Sequence, residues 1–152
     1  MKKLLLASAA TALFAGAASA QDVKIGILLG FTGPLESITP NMAAGAEVAI
    51  KEINDSGKFG LGTVSAVRGD STCVDAAAAT AAAERLITAD GVTAIMGADC
   101  SGVTGAVLQN VARPNGIVMV SPSATSPALT TAEDDGLFFR TAPSDAREGE
   151  VM

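Results

Sequence analysis

Short apolar runs alternate with stretches of helical periodicity along almost the whole of this chain, and that alternation restricts the fold more than any other feature. Val23 to Leu29 is a nearly uninterrupted apolar run containing one glycine, the pattern of a strand buried on both faces. Gly30 to Gly33 breaks it. Thr39 is placed to cap a helix with Pro40 at its first position, and Ala43, Ala46, Ile50 and Ile53 then recur on one face. Glu47 and Lys51 are spaced to pair on the outer side, and Asp55-Ser56-Gly57 closes the helix.

The same reading gives a strand over Thr63–Val67, an alanine-rich helix over Asp75–Ala89 and a strand over Val92–Met96. A helix follows from Gly102 to about Ala112, because Val103, Val107, Leu108 and Val111 recur at helical spacing. Ile117–Val120 and Leu137–Thr141 read as further strands, and Pro143-Ser144-Asp145 opens a last helix. This order predicts an α/β fold: a parallel sheet with helices on both faces and right-handed crossovers. The last helix carries no stop signal before Met152, so the sequence is expected to continue.

The first twenty residues stand apart. Lys2-Lys3, an apolar stretch through Leu13-Phe14 and a closing Ala18-Ser19-Ala20 form a secretory signal with an A-x-A cleavage pattern, which puts the mature start at Gln21. A membrane anchor is the weaker reading, since the stretch from Leu4 to Ala18 is shorter than the roughly 20 residues a span needs. Losing Lys2 and Lys3 moves the formal charge from −6 to −8. An acidic chain without clustered Lys and Arg is a poor partner for nucleic acid or anionic membranes. Export also places Cys73 and Cys100 in an oxidising compartment, where one disulfide is expected; two buried thiols are the alternative.

Much chemistry is excluded. The chain has no His, no Trp and no Tyr, so a Ser-His-Asp triad and a His-based zinc site cannot be built from it. A serine nucleophile would need Lys24, Lys51 or Lys58 as its base, and nothing in their spacing suggests that pairing. Gly97 and Gly102 have the spacing of a phosphate-binding loop, but Val103 and Thr104 stand where Lys and Ser/Thr would follow. Gly26, Gly30 and Gly33 miss the dinucleotide spacing. No cofactor, no metal and no catalysis are expected.

What remains is a site for binding. Twice an apolar run stops at small hydroxyl residues, at Asp99-Cys100-Ser101-Gly102 and at Ser121-Pro122-Ser123-Ala124-Thr125. Ligands of parallel α/β sheets settle beyond the carboxyl ends of the strands, where helix N-termini also point, and such an arrangement suits a small anion or zwitterion. Read from the residues alone, Ser101 is equally a helix N-cap and Thr125 equally a turn hydroxyl.

Several segments together resemble the periplasmic leucine/isoleucine/valine-binding proteins, the type I substrate-binding proteins of ABC importers. They are Asp22-Val23-Lys24-Ile25-Gly26, Thr32-Gly33-Pro34, Gly45-Ala46-Glu47, Glu52-Ile53-Asn54, Ser121-Pro122-Ser123-Ala124-Thr125-Ser126-Pro127 and Phe138-Phe139-Arg140-Thr141. The resemblance implies two α/β lobes joined by three crossovers, with residues 21–140 as an incomplete lobe one and 141–152 as a crossover and the start of lobe two. It also implies a disulfide between Cys73 and Cys100, as some members carry. It maps the ligand site onto Ser101, Ser123 and Thr125. Ser101 would give hydroxyl and amide to an α-carboxylate, the Ser123 carbonyl and Thr125 hydroxyl would accept the α-ammonium, and the Thr125 amide would add a bond to the carboxylate. The implied function is capture of a branched-chain or other amino acid for delivery to an inner-membrane permease, with a ligand-sensing receptor domain of the same fold as the alternative. One departure bears on specificity: Ser37-Ile38-Thr39 stands where members often place an aromatic over the ligand side chain. Phe31 is left as a ligand wall or, more simply, a packing residue.

Overall fold

The computed structural model describes residues 22–60 and 62–152; the signal sequence expected over residues 1–20 lies outside the described residues. Five strands, β1 (Val23–Leu29), β2 (Val64–Asp70), β3 (Ala94–Gly97), β4 (Val118–Ser121) and β5 (Phe138–Arg140), form one sheet in the order β2-β1-β3-β4-β5. All four pairings are parallel. The α/β architecture expected from the alternation is therefore present.

The helices sit where the crossover rule requires. From β1 the chain moves outward to β2 through α1 (Thr39–Ser56), then reverses through α2 (Ala76–Thr88) to reach β3 on the other side of β1, and continues through α3 (Ser101–Val107) to β4. Crossovers of one hand change faces when the direction along the sheet reverses. Accordingly Ile27 and Leu29 pack with Ala43 of α1 on one face. Leu28 packs on the other face with Ala79, Ala83 and Leu86 of α2 and Val103 and Val107 of α3. The larger core lies on this second side.

The register exposes a graded row. Ile27, Met96, Val120 and Phe139 lie side by side on the α1 face. Ile27 is fully buried under α1, Val120 is 37% exposed and Phe139 55%, so cover on this face runs out with distance from α1.

Three local expectations are corrected. Thr39 is the first residue of α1 and not its cap; the cap position is Ile38, which makes no side-chain bond. The turn from Leu35 already points its carbonyl at Ile38 and Thr39, so the helix starts one residue early, and the buried Thr39 hydroxyl donates to the Gly30 carbonyl (2.8 Å). Glu47 does not pair with Lys51. It accepts from Arg68 on β2 (2.7 Å), while Lys51 turns to Asp55, because the sheet offers Glu47 a cation across the packing interface. Finally, the helix after β3 starts at Ser101 and changes pitch: Leu108–Ala112 is π-helical before a last α-helical turn, α4 (Arg113–Asn115), ends at the left-handed Gly116. Pro114 has no N–H for the Asn110 carbonyl, which accounts for the broken ladder ahead of it. Asp75 lies just outside α2 and caps it, accepting from the amides of Ala77 (2.9 Å) and Ala78 (3.0 Å).

Cys73 and Cys100 are joined as a disulfide with a Cα–Cα separation of 5.2 Å, tying the segment after β2 to the segment after β3. Reducing it is expected to lower the free energy of unfolding by about 3.5 kcal/mol, measured in urea with and without reductant. At Gly97, with φ +138°, an added Cβ would lie 2.1 Å from the Leu28 carbonyl oxygen, so Gly97→Ala should abolish folding. Gly45, inside α1 with nothing within 4 Å of its missing Cβ, is the control: Gly45→Ala should raise stability by about 0.5–1 kcal/mol.

Candidate ligand-binding site

The chain leaves β1 toward β2 and later returns to the opposite side of β1, so the carboxyl ends of β1 and β3 flank a topological switch point. One side chain organises it. Asp99, two residues past β3 and only 2% exposed, accepts from the Gly30 amide (2.8 Å), the Ser71 hydroxyl (2.9 Å) and its neighbour Cys100's amide (3.0 Å). Gly30 follows β1 and Ser71 follows β2, so a single carboxylate fastens three strand ends together. A buried carboxylate is costly unless hydrogen-bonded, and three donors to a charged acceptor meet that need. Asp99 had no assigned role in the sequence reading. The local signal is an aspartate two residues past an apolar strand.

The next residues carry the candidate ligand groups. Cys100 occupies the cap position of α3 without a side-chain bond, which leaves Ser101 as the first helical residue and excludes the N-cap reading of its hydroxyl. Instead Ser101 Oγ accepts from the amides of Thr125 and Ser126, both at 3.1 Å. Thr104 N makes the first bond of the helix, to the Cys100 carbonyl (2.9 Å). The amides of Ser101, Gly102 and Val103 therefore have no acceptor within the helix.

After β4, Ser121 Oγ donates to the Ala98 carbonyl (2.6 Å) and accepts from the Ala124 amide (3.0 Å), and Ser123 Oγ donates to the Asp99 carbonyl (3.0 Å). These bonds draw the segment after β4 against the segment after β3, so Ser101, Ser123 and Thr125 come together. Among the described residues, neither the Ser123 carbonyl nor the Thr125 hydroxyl has a hydrogen-bond partner, so the turn-hydroxyl alternative for Thr125 finds no support. The Thr125 amide, assigned to the ligand carboxylate by resemblance, points to Ser101 Oγ.

The rim of the site is held by a second carboxylate. Asp70 accepts from the Thr32 hydroxyl (2.6 Å) and the Thr72 amide (2.9 Å), which pins the turn after β1 to the turn after β2. Burial pushes its pKa up, but the bonds from Thr32, Thr72 and the Phe31 amide outweigh that and hold it below the usual aspartate value. Thr72 and Cys73 both have positive φ (56° and 70°), a strained pair kept in place by these bonds and by the disulfide. Phe31 lies partly buried against the Ile27, Leu29 and Ala43 cluster with the Arg68 guanidinium 5.4 Å from its ring centre. Thr39 is buried and committed to Gly30, whereas Ile38, 53% exposed, is the large apolar side chain in the stretch lacking an aromatic. Among the described residues no cluster of His, Cys, Asp or Glu could hold a metal ion.

The strand ends of this parallel α/β sheet thus bring together a polarised hydroxyl, an open carbonyl and a helix start. The chain belongs to the periplasmic binding protein family, whose sequence profile matches residues 22–152. It is 38% identical over 156 residues to the Leu/Ile/Val-binding protein homolog 1 of Brucella abortus (strain 2308), covering 99% of this chain and 40% of that protein. It is 31% identical over 147 residues to the Leu/Ile/Val-binding protein of Escherichia coli (strain K12), covering 97% and 39%. Among solved structures, it superposes with a TM-score of 0.74 and 30% identity on the branched-chain amino acid transporter substrate binding protein of Streptococcus pneumoniae in complex with isoleucine, covering 83% of this chain and 35% of that one. These relatives are binding proteins and not enzymes. The chain spans about two fifths of the length of the curated relatives it matches.

Two measurements test the geometry. Asp99→Ala leaves two amides and a hydroxyl without their acceptor and is expected to cost about 3 kcal/mol or more in urea unfolding, with Asp99→Asn intermediate because one amide oxygen still accepts. For Asp70 the folded pKa lies below the unfolded value, so its contribution is complete above the usual aspartate pKa of about 3.9 and is lost as pH falls through the lower, folded value. Unfolding midpoints should therefore decline below about pH 4, and Asp70→Asn should flatten that decline.

Proposed function

We propose that this protein is a periplasmic substrate-binding protein of an ABC importer, which captures a branched-chain or other apolar amino acid and hands it to an inner-membrane permease. In this reading residues 1–20 are the export signal, 21–140 belong to lobe one, and 141–152 form a crossover into lobe two.

One observation carries the reading. Ser101 Oγ already accepts two amides, which uses both lone pairs, so its own proton has to be donated to a third group. Two donors on the oxygen also polarise the O–H and strengthen it toward an anion. An α-carboxylate fits there, beside the unpaired amides that open α3. Past the end of β4, the open Ser123 carbonyl and Thr125 hydroxyl suit an α-ammonium. The arrangement differs from the resemblance in one respect: the Thr125 amide serves the ligand through Ser101 and not directly. A carboxylate and an ammonium on one carbon are thus matched by groups from two adjacent strand ends.

The test is calorimetric titration of the full-length protein against a panel of amino acids. A branched-chain or other apolar amino acid is expected to bind best. Thr125→Val and Ser101→Ala should each weaken it by about 1.5–3 kcal/mol, as expected for a lost bond to a charged group. Unaltered affinity in both variants, or no amino acid bound by wild type, would overturn the reading.

A further inference from the structure

Arg140, at the end of β5, is half-buried and makes no ion pair among the described residues. A cation so placed is instead spent on backbone. Its Nη1 donates to the carbonyls of Ala124 (3.3 Å) and Ser126 (2.9 Å), the two residues that flank Thr125, while Nη2 donates to the Thr130 hydroxyl. The segment that leaves β5 continues the same task. Thr141 donates from its amide to the Ser121 carbonyl (3.0 Å) and from its hydroxyl to the Pro122 carbonyl (3.3 Å), and the Asp145 amide donates to the Thr125 carbonyl (3.0 Å).

The carbonyls of Ser121, Pro122, Ala124, Thr125 and Ser126 are therefore all occupied from the β5 side. The Ser123 carbonyl is the exception in this turn. A carbonyl left alone among satisfied neighbours is an acceptor held ready for a donor from outside. The Ser126 carbonyl also accepts from the Leu129 amide (3.1 Å), but the Ala124 carbonyl has Arg140 as its donor; released, it could rotate outward and compete, and the position of the single open acceptor would blur.

We propose that Arg140 is a positioning and specificity-determining residue: by holding the carbonyls on both sides of Thr125 it leaves the Ser123 carbonyl as the acceptor for the ligand's ammonium, and so favours zwitterions over simple carboxylates. This rests on the amino-acid reading above. Arg140 acts from behind the turn, through the backbone, and its loss selectively removes recognition of the ammonium. The Ser101 hydroxyl, which faces the carboxylate, keeps the Ser126 amide, whose peptide unit is held at the Thr125 carbonyl by the Asp145 amide and not by Arg140.

The experiment uses the full-length protein and two probes: the best-binding amino acid of the panel and its des-amino analogue, which keeps side chain and carboxylate. Arg140→Met should weaken the amino acid by about tenfold or more while moving the analogue, measured by competition, by less than about threefold. Thr130→Val, an exposed change that only loosens the guanidinium, should show the same selectivity with a smaller loss, and it serves if Arg140→Met does not fold. Equal losses for the two probes, or amino-acid affinity within about threefold of wild type in the folded variants, would overturn the proposal. If the analogue is too weak to compete even with wild type, the selectivity claim fails with it. A wild type that binds no amino acid sinks the parent reading first, and that result is visible before any Arg140 variant is made.

Discussion

Everything at the carboxyl edge of this sheet depends on one buried negative charge. The Asp99 carboxylate takes donors from the ends of β1 and β2 and from its own neighbour, and without those three bonds an ionised group at 2% exposure would not be tolerated. The constraint works in both directions. Because the charge needs the donors, the strand ends are drawn together; because they are drawn together, the chain that follows Asp99 starts from a fixed point. Ser101 lies two residues on and inherits that placement.

A candidate binding site faces conflicting demands, since its polar groups have to be open to a ligand while the backbone around them stays satisfied. Here the conflict is resolved by assigning nearly every neighbouring group to an internal partner. Ser121 serves Ala98 and Ala124, Ser123 Oγ serves Asp99, and Ser101 Oγ accepts from Thr125 and Ser126. The open valences are few and close together. The disulfide and Asp70 do the corresponding work at the rim, where two residues of positive φ need external restraint.

The sheet was largely legible because strand burial is written locally: β1 is the run Val23–Leu29 in sequence and in structure, and β4 differs by one residue at each end. The candidate set of Ser101, Ser123 and Thr125 rests on the combination of a resemblance with the hydroxyl-rich strand ends, and the structure shows the three close together. What stayed hidden was long-range. Asp99 reaches Gly30 across 69 positions and Glu47 reaches Arg68 across 21, and no local pattern announces either partner. Thr39 departs from the capping pattern because cap statistics describe isolated helix starts, whereas a buried hydroxyl beside Gly30 answers to packing. Arg140 was visible inside a motif, but its role depends on carbonyls 14 and 16 residues away.

The central position of β1 has a consequence for the order of events during folding. Its register partners on β3 lie 69 positions downstream, Ile25 opposite Ala94, so the pairing that creates the switch point is among the least local in the sheet. Closing so long a loop costs entropy before any contact repays it, and such pairings form late along a folding route. The helices and the β1–β2 ribbon can assemble while the crevice does not yet exist. The joined strand ends are therefore acquired at the last stage of folding, when the chain has already gained most of its secondary structure, and a partly folded molecule could look native in its helix content and still lack the bond from Gly30 to Asp99.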